Sequence, residues 1–255
     1  MESTAHNILH AAGRQFADSG RYGASIRGIV EAAGASLSAV NYHFGGKDGL
    51  YEAAVAHALG EGTGLPGLFG GLEQPPAGTP AALAGAVSSL IGNLLRAFIP
   101  EEGPRWPGRL AARAFCSADG GETPCPEVLD TLEKGLRALL GPHGDGLDAG
   151  ELRWWLVSLL GEAAFLTLSE PAVARAFGRP AYDAAFVDVL GHRLAAMWVP
   201  LLGLPAPDAA PETLLAPETP PAAAPDEPPV PAETPPGSRP KPPKPKSGGA
   251  IPDWF

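Results

Sequence analysis

The chain has 255 residues, 45% of them hydrophobic, and a formal charge of −10. The acidity argues against a general nucleic-acid coat but leaves room for a local binding face, and two cysteines, Cys116 and Cys125, do not make a disulfide framework. No apolar run reaches the roughly 18 residues needed to cross a bilayer and no signal-peptide pattern opens the sequence, so a cytoplasmic protein without a membrane partner is expected.

Helix formers, chiefly Ala and Leu, dominate most of the chain, and strand-like runs of Val, Ile and Thr are missing. These features predict an all-α fold. Residues 4–19 read as a first helix, with Ile8, Leu9, Ala12, Phe16 and Ala17 at helical spacing and Gly20 as the stop. Residues 25–33 form a short second helix capped by Ser25, with Ile26, Ile29, Val30 and Ala33 facing inward. Gly34 turns the chain, and Ser36 caps a third helix running to about Phe44. Two short helices joined by a brief Gly-containing turn are a helix-turn-helix. A fourth helix follows from Lys47 to about Leu59.

On the third helix Val40 and Phe44 are four apart and anchor one side, while Ser38, Asn41 and Tyr42 fall toward other sides. A helix held this way fits a major groove. Asn41 can pair with adenine through a donor and an acceptor, and Ser36, Ser38 and Tyr42 suit base edges or phosphates. His43 and Lys47 suit phosphate oxygens. Leu37 reads either as core, three residues before Val40, or as a contact to a thymine methyl. Residues 1–60 hold four bases against five acids, so the reading head is nearly neutral and a shallow salt dependence of DNA binding is expected.

The stretch "IVEAAGASLSAVNYHFGGKDGLYEAAV" resembles the DNA-binding region of the TetR family of bacterial repressors. The resemblance covers roughly residues 5–60, and the form "AVNYHFGGKDGLY" is most similar to the CecR-like branch. It implies an all-α homodimer whose third helices enter the two halves of a double-stranded DNA operator. It also implies a larger domain that holds a small-molecule effector and the dimer interface, with ligand binding releasing the DNA. By this match Ser25, Arg27, Ser36, Leu37, Ser38, Asn41, Tyr42, His43 and Lys47 take DNA-facing positions. No enzymatic role, cofactor or metal is implied.

Residues 61–79 are a Gly/Pro-rich loop, and within them Gly62, Gly64 and Gly67 match G-x-G-x-x-G spacing. No strand precedes them, so the dinucleotide-binding reading fails its context. Apolar-periodic helices are expected at about 80–99, 105–118, 125–141, 150–169 and 181–202, separated by Pro100, Pro104, Pro124, Pro142 and Pro180. Together, residues 80–204 make a helical ligand-binding and dimerisation domain. The pocket candidates are Phe98, Trp106, Phe115, Trp154, Trp155 and Phe165, each of which also reads as plain core. Trp154 and Trp155 cannot face one way on a helix, being about 100° apart. Phe165, Leu168, Phe186, Leu190, Leu194 and Trp198 are the interface candidates for a two-fold helical bundle.

His6 and His10 stand four apart on the first helix without a visible third metal ligand. From Pro205 the composition shifts, and seventeen of the last 51 residues are Pro. Such a tail is expected to be disordered or polyproline II. It ends in Ile251, Trp254 and Phe255, a candidate docking segment. The alternative function is a helical protein–protein interaction module with a degenerate helix-turn-helix and a docking tail.

Overall fold

The computed structural model describes residues 3–69, 72, 79–116 and 125–207. The Pro-rich tail beyond Pro207, with its terminal aromatic segment, lies outside the described residues, as does most of the Gly/Pro loop after Phe69. Every regular element among the described residues is helical.

Four helices build the head. Helix α1 (Thr4–Gly23) is capped by Ser3, whose side chain accepts the His6 N–H at 3.2 Å, and it breaks at Gly20 (φ 71°, ψ 176°). That is the position predicted as its stop, and the left-handed φ there suits glycine. Ile8, Ala12, Phe16 and Ala17 form its buried stripe. Helix α2 (Ile26–Ala32) is capped by Ser25 and closes at Gly34 (φ 60°), with the Ala35 N–H reaching back to the Val30 carbonyl at 2.9 Å. This six-to-one bond sets the sharp turn into the next helix. Helix α3 (Leu37–Phe44) is capped by Ser36 and ends at Gly45 (φ 71°). Helix α4 (Lys47–His57) runs on into a single wide turn over Ala58–Gly62 and a tight turn over Leu65–Gly67. The three glycines at G-x-G-x-x-G spacing are absorbed in these turns.

Among the described residues the larger domain has seven more helices. They are α5 (Pro80–Phe98), α6 (Trp106–Cys116), α7 (Cys125–Leu140), α8 (Pro142–Asp145), α9 (Ala149–Leu168), α10 (Glu170–Ala176) and α11 (Ala184–Trp198). The short α8 and α10 were not anticipated: each starts on a Pro-containing first turn, where a missing N–H does no harm. Helix α11 starts later than expected because Asp183 caps it, accepting the Phe186 N–H at 2.7 Å. Helix α6 is central and packs on α1, α5 and α9. The start of α6 is tied to the α10–α11 corner: Arg105 pairs with Glu170 and donates to the Tyr182 carbonyl at 3.1 Å, and the Tyr182 hydroxyl donates to the Leu166 carbonyl at 3.2 Å.

One expectation needs correction. Pro80–Phe98 and Ala184–Leu202 are long and apolar enough to cross a membrane by length and composition. Spread over helical faces, these residues escape a search for unbroken apolar runs. In the fold the two segments pack on one another, and Leu83, Val87, Ile91 and Leu95 of α5 are buried with Phe186, Leu190 and Leu194 of α11.

Candidate nucleic-acid interface

Helix α3 is fixed from below and open above. Val40 is fully buried and Phe44 packs half-buried on the same core, together with the fully buried Ile29 and Leu50. The opposite face presents Leu37, Ser38, Asn41, Tyr42 and His43, all exposed. Tyr42 is 84% exposed and stands edge-to-face with His43, ring centroids 5.0 Å apart. Leu37 is 52% exposed, which resolves its ambiguity against the core.

Ser25 and Ser36 have a structural task. Each accepts a backbone N–H in the first turn of its helix, from Gly28 at 3.4 Å and from Ala39 at 3.2 Å. A hydroxyl that accepts in this way keeps its own proton for a phosphate oxygen. Arg27 is exposed on α2. Lys47 lies half-buried and donates to the Tyr22 carbonyl at 3.5 Å. Tyr22 itself was missed from the sequence: 73% exposed, it flanks the reading head just past the break in α1. Arg21 pairs with Asp48 at 3.0 Å, and that hydrogen bond raises its pKa above the ordinary value.

The seam between head and larger domain is tightly built. Trp106 is stacked on His57 with centroids 5.7 Å apart and meets His10 edge-on at 5.5 Å. His57 therefore joins His6 and His10, a neighbour that sequence spacing could not show. Among the described residues no group of three such side chains is arranged to hold a metal ion. Arg113 of α6 donates its Nε to the Ala17 carbonyl at 2.6 Å and Nη2 to the Asp18 carbonyl at 3.0 Å, so it caps the last carbonyls of α1 before the break.

The pocket and interface candidates redistribute. Phe98, Trp106 and Trp155 are buried in the core and Phe115 is half-buried against Phe98. Trp154 and Phe165 are corrected: at 69% and 58% exposure they lie on the outside of α9, not around an internal pocket. The interface candidates Phe186, Leu190 and Leu194 are corrected too. Their four-residue spacing makes the stripe of α11 that faces inward, and they are buried inside the chain. Leu168 and Trp198 are half-buried. Trp155 donates to the Trp198 carbonyl and Trp198 to Glu162, both at 2.8 Å, joining α9 to α11. The outward stripe of α9 is Trp154, Val157, Gly161 and Phe165, and exposed Met197 lies at the end of α11 with exposed Leu201 in the turn that follows it. A mostly apolar recess of about 140 Å³ opens between the turn after α4 and α7, lined by Leu59, Leu65, Val128 and Leu132 with Glu127 and Thr131 beside them.

Residues 8–54, from α1 through most of α4, match the family model for bacterial regulatory proteins of the tetR family. The fold is similar to the crystal structure of a transcriptional regulator from Rhodococcus sp. Rha1, with a TM-score of 0.53 and 19% identity, covering 78% of this chain and 97% of that one. No curated protein is significantly similar to the chain.

Proposed function

We propose that this chain, whose residues 8–54 match the tetR family model, is a TetR-type DNA-binding regulator, a cytoplasmic repressor that binds its operator as a homodimer and leaves it when a small, largely apolar ligand binds. The exposed row Leu37, Ser38, Asn41, Tyr42 and His43 on a helix anchored by Val40 carries this reading. Such a row places hydrogen-bonding groups and one apolar side chain at base edges, while Arg27, Lys47 and the capping serines set the register on phosphates.

The outward stripe of α9 supports dimerisation. Exposed Trp154, Val157 and Phe165 on one helical face make an apolar patch of the kind a second copy covers. The recess at Leu59, Leu65, Val128 and Leu132 supports an apolar ligand, because it touches the turn that continues α4 out of the head. A ligand seated there would act on α4 and through it on α3.

Selection of duplexes from a random pool by the purified protein tests the reading. Recovery of a two-fold symmetric site, and repression of a reporter placed behind that site, are expected. Recovery of no shared sequence contradicts it and favours a protein-interaction role for the chain.

A further inference from the structure

We infer that the cleft between the reading head and the larger domain binds a small amphipathic carboxylate, held by Arg113 and Arg21 over an aromatic floor. The cleft has a volume of about 170 Å³, below the roughly 300–1,000 Å³ of sites for drug-sized ligands. It has room for a single-ring or short-chain acid. Its floor is the half-buried Tyr51, with the fully buried Phe16 edge-to-face behind it at 5.1 Å and Leu168 from the end of α9 beside it.

Among the described residues the rim supplies two guanidinium groups and no carboxylate. Arg21 sits 5.4 Å above the Tyr51 ring, with one edge turned to Asp48. Arg113 gives Nε and Nη2 to the carbonyls of Ala17 and Asp18. These are uncharged acceptors, and of the five N–H groups of an arginine they take two. Its Nη1 lies alongside Gly20, where even an added Cβ would be 3.9 Å away, so this edge of the fork meets the open backbone of the α1 break. A planar carboxylate matches the free edge of a guanidinium in a bidentate way. An uncharged ligand would leave that edge without a partner, and a purely inorganic anion would make no use of the floor.

The site spans the seam beside the Gly20 break in α1. Arg113 belongs to the larger domain and Arg21 to the head, so an acid bridging them fixes the head's orientation. The cleft is separate from the apolar recess near α7, and its occupancy is read without DNA.

The thiol of Cys116, exposed at the end of α6, lines the same cleft and serves as the probe. In the full chain carrying Cys125→Ser, the rate of Cys116 alkylation by iodoacetamide is measured with benzoate and with its neutral isostere benzamide. Benzoate is expected to slow alkylation saturably, by about fivefold at a concentration four times its dissociation constant, and benzamide not at all. Arg113→Met removes the protection. Because Arg113 also holds the end of α1, Arg21→Gln is tested alongside and is expected to weaken protection several-fold with an unchanged far-ultraviolet circular dichroism spectrum. The proposal is overturned by absence of protection, by equal protection from benzamide, or by protection that survives both arginine substitutions.

Discussion

Gly13 of α1 lies so close to Trp106 of α6 that a Cβ there would stand 2.2 Å from the indole ring. The contact joins the reading head to the larger domain, and both residues are buried. An indole stacked on His57 and edge-on to His10 has little room to retreat. Gly13→Ala is therefore expected to destabilise the fold by about 1–3 kcal/mol through overpacking, despite alanine's better helix propensity. Urea unfolding checks this, and an unchanged midpoint would show that the seam yields.

Exposed and anchoring side chains separate on α3. Asn41 is exposed and touches no core, so Asn41→Ala should leave stability within about 0.5 kcal/mol. It should weaken binding to the selected operator by about 1–3 kcal/mol, roughly 5- to 150-fold. Ser36→Ala removes the cap on Ala39 and should lower stability by about 1 kcal/mol. Paired denaturation and anisotropy measurements distinguish the two effects. Equal affinity losses without stability change would assign Ser36 to base reading instead.

The α9 stripe gives a prediction about assembly. Trp154→Glu with Phe165→Glu places charges on the exposed face and empties no core space. Sedimentation velocity is expected to show a monomer with native helical content, in place of a dimer. Operator binding should fall to that of a single half-site, since the second head no longer contributes. A dimer that survives both substitutions would move the interface elsewhere.

Much of the head was legible because its signals are local. Serine caps at Ser25 and Ser36, stops at Gly20, Gly34 and Gly45, and the Val40–Phe44 spacing each act within a turn or two of helix. In the C-terminal domain several individual residues were misplaced where tertiary partners decide. The stripe Phe186, Leu190 and Leu194 is as apolar as any interface seam, and only the packing of α5 against α11 shows which neighbour it faces. Trp154 and Trp155 were correctly separated by helical geometry, but spacing alone did not tell which of them faces out. Arg113, His57 and Tyr22 were missed as seam and head residues because their partners are distant in sequence.

Alkaline pH offers a test of the α6–α10–α11 corner. Burial, and then the nearby Glu170 charge, push the Tyr182 phenol well above its ordinary range. An acid whose folded pKa is raised contributes stability that is fully present below its unfolded pKa, about 10. That stability is lost as the pH climbs from there toward the folded pKa. Between about pH 10 and 12 the protein should lose up to roughly 1.4 kcal/mol per pH unit from this one proton. Tyr182→Phe should show a shallower decline, starting about 1 kcal/mol lower at neutral pH because the bond to Leu166 is gone. Parallel declines for the two proteins would remove Tyr182 from the alkaline transition.

A nearly neutral head that reads DNA by the shape and hydrogen bonding of α3 should bind with a shallow salt dependence. Fluorescence anisotropy on the duplex upstream of the protein's own gene, against a scrambled duplex across salt concentrations, tests it most directly. With Arg27 and Lys47 as the phosphate-facing cations of each protomer, a dimer neutralises about four phosphates, and the slope of log affinity against log salt should be about −4. Selective binding with that slope is the predicted result. A slope near about −10, or equal affinity for the scrambled duplex at every salt concentration, would contradict it.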